Sequence, residues 1–138
     1  MDRRLNSTYW LLRMTFGLVP LVAGLDKFLN LLTDWEKYVS PALLSVMPVS
    51  ATSLMRIAGV VEMLAGVAIL AGVTRLGGYV VAAWLVAIAI TLLTAGEYLD
   101  VAVRDLVMAC AAFALARLAE ARQPHPADEV RALRTETA

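Results

Sequence analysis

Glu62 is the one carboxylate in the apolar stretch Leu54 to Val73, LMRIAGVVEMLAGVAILAGV. On a helix it would lie about 12 Å along the axis from Leu54. A charge that deep in hydrocarbon costs several kcal/mol unless it is paired, protonated or hydrated. Three cations come into question as its partner. Arg104 is the first choice, because a guanidinium can bridge a carboxylate with two hydrogen bonds and keeps its charge when buried. Lys27 is the second. Arg56 is six residues away on the same stretch, on the wrong helical face for a direct pair. Asp26 adjoins Lys27 and Asp105 adjoins Arg104, so three cations and three anions come from three segments, with Glu97 and Asp100 in a short turn beside them. Two chemistries fit such a set. It could be an ion-pair network that fixes helix register, which often adds little net stability. Alternatively it could be a polar pocket that binds a ligand or relays protons, since intramembrane charges facing a bundle interior often mark pathways.

The elements that must position these groups read as all-α, a polytopic membrane protein with a four-transmembrane-helix bundle. Spans are expected at about 8–32, 54–73, 76–95 and 101–118, each near the ~20 residues that cross a bilayer. The bundle domain is 1–119, and 120–138 is a polar tail. In span one, Arg13, Gly17, Pro20, Gly24 and Lys27 recur at alternating spacings of four and three, which places them on one face. In span two, Gly59, Glu62 and Gly66 share a face. Small residues let helices approach closely, so both faces read as helix–helix seams. Span three carries no charge and is expected to face lipid most. Residues 33–52 contain Thr33-Asp34-Trp35-Glu36, with capping-box spacing, followed by Pro41 and Pro48. They read as a short helix that lies on the membrane surface or folds over the bundle as a lid. Tyr9 and Trp10 suit one interface, Trp35 and Tyr38 the other.

Lys and Arg counts orient the bundle. Arg3, Arg4, Arg75, Arg117, Arg122, Arg131 and Arg134 fall on one side and only Lys37 on the other, so both termini are expected in the cytoplasm. The charged set then lies in the outer half, and Arg13 is an inner snorkelling anchor that could meet lipid headgroups. The Arg3-Arg4 start superficially resembles a signal peptide, but the apolar run is too long for an h-region and no A-x-A site follows it. It reads as a retained first span.

Composition agrees with a bilayer partner. Of 138 residues, 60% are hydrophobic, and twelve basic and twelve acidic residues cancel, so nothing argues for nucleic acid. Cys110 is the sole cysteine, which excludes a CxxC pair or a zinc-type cluster; it reads as a small buried hydrophobe. The single histidine, His125, lies in the tail, which excludes a bis-His haem within the spans, and no metal site is expected.

The segments LLRMTFGLVPLVAGLDKF (11–28), GVVEMLAGVAILAG (59–72) and YLDVAVRDLVMACAAFALA (98–116) resemble the DoxX family of small four-span bacterial membrane proteins. The motifs that match are Arg13 opening the first span, Gly24 with Lys27 closing it, Glu62 among glycines in the second and Arg104-Asp105 starting the fourth. The resemblance implies a four-helix bundle in the inner membrane. The family takes its name from a subunit of a thiosulfate:quinone oxidoreductase, and relatives are described as membrane partners of redox proteins, while distant ones look like assembly factors or cargo receptors. The implied role is an accessory protein without catalysis of its own, which binds a small ligand or docks a membrane or periplasmic redox partner at Asp26, Lys27, Glu62, Arg104 and Asp105. Arg13, Arg56, Glu97 and Asp100 are secondary. No cofactor is required, but a quinone could bind as in an oxidoreductase subunit, with Lys27 or Arg104 holding its oxygen and Glu62 exchanging a proton. A small-molecule or proton-coupled transporter is the third reading. The absence of a cysteine pair departs from a thiol-redox role, and the small-residue faces would also permit a homo-oligomer.

Overall fold

The structure, a computed structural model, describes residues 2–123. Most of the expected polar tail, His125 included, therefore lies outside the described residues. All the described elements are helical: α1 (Arg3–Leu29), a 3-10 turn (Trp35–Tyr38), α2 (Pro41–Val46), α3 (Ala51–Leu70), α4 (Thr74–Ala95) and α5 (Leu99–Ala121). Three of these, α1, α3 and α4, are long and apolar enough to cross a membrane. The fourth long helix, α5, is 23 residues against 22 for α4, but carries Asp100, Arg104, Asp105, Arg117 and Glu120.

Helix ends follow local chemistry. At the end of α1, Asn30 takes the left-handed conformation (φ 51°) and its N–H returns to the Asp26 carbonyl at 2.7 Å. The helix therefore stops at Leu29, three residues before the end expected from hydropathy. Ser50 accepts from the Ser53 N–H at 3.2 Å and starts α3 at Ala51, three residues earlier than expected. In the linker the capping residue is Asp34, not Thr33: its carboxylate accepts from the Glu36 N–H at 3.2 Å. Ser40 caps α2, with Pro41 in its first turn. The linker folds back onto the end of the bundle. Thr52 donates to Glu36 at 2.7 Å, and Tyr38 meets Tyr98 edge to face at 4.8 Å.

The long helices run up-down-up-down as two tightly packed antiparallel pairs, α1 with α3 and α4 with α5, joined mainly through α3 and α4. The α1–α3 seam is made of glycine. A Cβ on Gly24 would stand 2.5 Å from the Gly59 carbonyl oxygen, and one on Gly66 would stand 2.5 Å from that of Gly17. Only residues without a side chain permit this approach. The α4–α5 seam is looser and uses alanine: a Cβ on Gly78 would meet Ala116 and Ala112 at 3.0–3.1 Å. The core between the pairs holds Phe16, Ile69, Val81, Ala112 and Leu115.

Two expectations are corrected here. α4 is not the most lipid-facing helix. It buries 33% of its most apolar window against 22% for α1 and α3, because it packs on both α3 and α5 through Gly77, Gly78, Val81 and Ala89. Cys110 is exposed, not buried, because Ala109 and Ala112 take the inward face of α5 and Cys110 stands about 100° round the helix from Ala109, on the outward side.

Candidate functional site

The glycine seam sets the reach of the site. α1 and α3 run antiparallel and touch at Gly24 and Gly59, so Lys27 lies level with Gly59, Glu62 lies nearer the level of Gly24, and the long lysine side chain reaches along the seam to the carboxylate. Lys27 Nζ donates to Glu62 Oε2 at 2.6 Å, and the two side chains are 6% and 12% exposed. The ammonium also stands 3.7 Å from the ring centroid of Trp35, so it lies between a carboxylate and an aromatic face. The second oxygen of Glu62 accepts from Trp84 Nε1 at 3.3 Å. The linker thus places the Trp35 ring over Lys27.

Glu62 therefore pairs with Lys27 and not with Arg104, the first choice from the sequence. The reason is geometric. α5 packs mainly on α4, and its inward residue at this level is Asp105, which is 7% exposed. Arg104 lies about 100° round the helix from it and is exposed. Asp105 lies within electrostatic range of three charges, Arg104 first and then Glu62 and Lys27. Among the described residues it makes no ion pair, and no buried side-chain oxygen or nitrogen is left without a hydrogen-bond partner, so its carboxylate oxygens keep access to the surface.

Asp26 is buried beside the pair but serves the backbone. Its carboxylate accepts from the N–H groups of Leu31 and Leu32 at 2.9–3.2 Å and from Trp35 Nε1 at 2.7 Å. It ends α1, turns the chain and fixes the indole that covers Lys27. Arg56, Glu97 and Asp100 are exposed. Arg13 lies inside α1, level with the C-terminal end of α3, where its Nε and Nη2 donate to the Ile69 and Leu70 carbonyls at 3.1 and 2.8 Å. It caps the C-terminus of α3, matching a cation to the negative end of that helix, and its guanidinium lies 4.8 Å from the Trp10 ring centroid. Its hydrogen-bond partners in the chain are these two carbonyls.

The site thus gathers Asp26, Lys27, Glu62 and Asp105, and leaves Arg104, Arg56, Glu97, Asp100 and Arg13 outside its contacts. Sequence reasoning missed Trp84. Its signal was present: an indole N–H in an otherwise uncharged apolar helix must find an acceptor, and Glu62 is the one carboxylate within the neighbouring span. Among the described residues no cluster of His, Cys, Asp and Glu could hold a metal ion.

Compared with known proteins, the chain matches no family model, and no similar curated protein or solved structure is found.

Proposed function

We propose that this chain is a DoxX-like accessory protein of the bacterial inner membrane, that all four of its long helices cross the bilayer, and that the Lys27–Glu62–Asp105 site binds a small ligand or docks a partner segment. One observation carries the reading. A buried ion pair has near it a further carboxylate, Asp105, which makes no ion pair among the described residues and whose oxygens reach the surface. Those oxygens are open acceptors, so the site favours a ligand that brings a donor, with Arg104 on the neighbouring position as the competing cation. An amine, an amide N–H or a hydroquinone O–H supplies that chemistry. Four spans are supported by the length of α5 and by Asp105 facing the bundle, which leaves the apolar residues Val103, Leu106, Val107 and Phe113 outward. The weight of arginine at the opposite end supports cytoplasmic termini.

The quinone reading is altered by the geometry. Lys27 is committed to Glu62 and covered by Trp35, so a quinone oxygen would have to displace an existing ion pair, whereas a quinol hydroxyl would find Asp105 open. The transporter reading has less support, because the interior between the two ends is lined by Phe16, Ile69, Val81, Ala112 and Leu115, which relay no proton.

Native mass spectrometry of gently purified protein tests the proposal. Wild type is expected to carry a small molecule that Asp105→Asn and Glu62→Gln lose. An empty wild type, with the variants merely less stable, would reduce the cluster to a structural network. A fluorescent-protein fusion at the C-terminus checks the orientation: it is expected to mature and fluoresce, and a dark, fully translocated fusion would reverse it.

A further inference from the structure

At the end of the bundle away from Lys27 and Glu62, α1 begins, α3 turns into α4, and α5 ends. A cavity of about 540 Å³ opens there, lined by Tyr9, the turn 72–76, Ala119 and Arg122. One wall is the first turn of α4. Helix geometry leaves the N–H groups of Thr74, Arg75 and Leu76 without an intrahelical acceptor. Val73 offers no side-chain cap, and none of the three finds another acceptor among the described residues. Thr74 is only 1% exposed, so the first-turn donors that can reach into the cavity are the N–H groups of the exposed residues Arg75 and Leu76.

Two guanidinium groups stand at the same cavity. Arg75 is held to Glu120 through Nε at 3.0 Å, which leaves both of its terminal amino groups open. Arg122 lies over the Tyr9 ring at 4.2 Å and donates from Nη1 to Asn6 Oδ1, which leaves Nη2. The nearby carboxylate of Glu120 is already occupied, accepting from Tyr79 at 2.9 Å, from Arg75 and from Arg117 at 2.8 Å. Backbone donors at a helix N-terminus together with open guanidinium donors are the chemistry that recognises phosphate. Leu76 and Val80, one turn apart on the same face of α4, are 62% and 43% exposed and lead away from the cavity along the apolar surface.

We propose that this cavity binds the phosphate of an anionic phospholipid, with the acyl chains lying along the Leu76–Val80 face. The proposal rests on the bundle standing in a membrane and is independent of the Lys27–Glu62 site. Protein in mild detergent is mixed with phosphatidylglycerol or phosphatidylcholine, and retained lipid is read by native mass spectrometry. Phosphatidylglycerol is expected to be retained about tenfold better, because both lipids offer the same phosphate but the choline cation of phosphatidylcholine is repelled by Arg75 and Arg122. Arg75→Gln/Arg122→Gln should lose most of that preference, whereas Arg3→Gln/Arg4→Gln, at the same end but outside the cavity, should keep it. Equal retention of the two lipids by wild type would overturn the proposal without any variant. An equal loss in both double variants would also overturn it, leaving only diffuse positive charge. Displacement of phosphatidylglycerol by millimolar inorganic phosphate would make the ligand a soluble phosphate and overturn the lipid source. A chain that stays soluble without detergent would instead overturn the membrane placement.

Discussion

The two ends of the bundle hold the same kind of bond in opposite surroundings. At one end Lys27 and Glu62 meet at 2.6 Å with side chains 6% and 12% exposed. At the other, Glu120 meets Arg75 at 3.0 Å and Arg117 at 2.8 Å, with the arginines 55% and 64% exposed. Bond length separates them little, but solvent separates them sharply. Water screens the arginine end and would hydrate any charge left behind there. At the lysine end a charge left behind has an indole on one side and hydrocarbon beyond it. The two ends also differ in their backbones: glycine on both helices lets α1 and α3 touch beneath Lys27, with a Cβ on Gly24 2.5 Å from the Gly59 carbonyl, whereas on the α4–α5 seam a Cβ on Gly78 would stand 3.0–3.1 Å from Ala116 and the Ala112 carbonyl. A close backbone approach is what allows short reach and burial together.

The largest effect should come from removing one partner at the buried end. Lys27→Met or Glu62→Leu is expected to cost about 3–5 kcal/mol, the range for breaking a buried pair. The double variant Lys27→Met/Glu62→Leu should recover most of that loss, because it leaves no charge unpaired. Denaturant unfolding in detergent measures all three. If Lys27→Met costs no more than Arg75→Met, the two ends are energetically alike and burial is not what distinguishes them.

Next comes the backbone contact. In Gly24→Ala the new methyl would lie 2.5 Å from the Gly59 carbonyl and 3.0 Å from the Met63 backbone nitrogen, so the helices must separate. The expected cost is about 1–3 kcal/mol, as for overpacked cores. Gly78→Ala on the other seam starts at 3.0–3.1 Å and should cost less. Equal costs would mean that the α1–α3 seam is no tighter in solution than its neighbour.

A smaller effect isolates the indole that completes Glu62. Trp84→Phe keeps an aromatic ring but deletes the Nε1–H at 3.3 Å from Oε1 with the rest of the indole, and the hydrogen bond's share of the cost is expected to be about 1 kcal/mol. In a Glu62→Gln background that cost should shrink, since the charge that strengthened the bond is gone. Full additivity would show that Trp84 acts by packing alone.

Much of this was legible in the sequence, for a physical reason. The periodicity of Gly17, Gly24 and Lys27 in one helix and of Gly59, Glu62 and Gly66 in another marks two faces that only fit each other. The Lys27 partner was on the short list, yet Arg104 ranked above it on the strength of guanidinium chemistry. What the sequence could not show is which helix α3 touches most closely. Hydropathy fixes neither neighbour nor rotation, and a turn of about 100° decides whether Arg104 or Asp105 points inward. Cys110 and the burial of α4 failed for the same reason: an apolar run reports that a helix meets something apolar, lipid or protein, without saying which side.

The smallest effect should lie at the arginine end. Glu120→Gln removes the shared charge but keeps an amide oxygen for Tyr79, whose hydroxyl donates to Oε1 at 2.9 Å. The freed Arg75 and Arg117 are already more than half exposed and can hydrate. The unfolding midpoint should therefore move little at low salt, and the difference from wild type should vanish as salt is raised, because surface pairs lose their attraction to screening. Lys27→Met must behave differently in the same titration, keeping its full deficit at high salt, since ions do not reach Glu62 to compensate it. A salt-dependent deficit for Lys27→Met would mean that water and ions enter beneath Trp35, and the lid over Lys27 would then be open in solution.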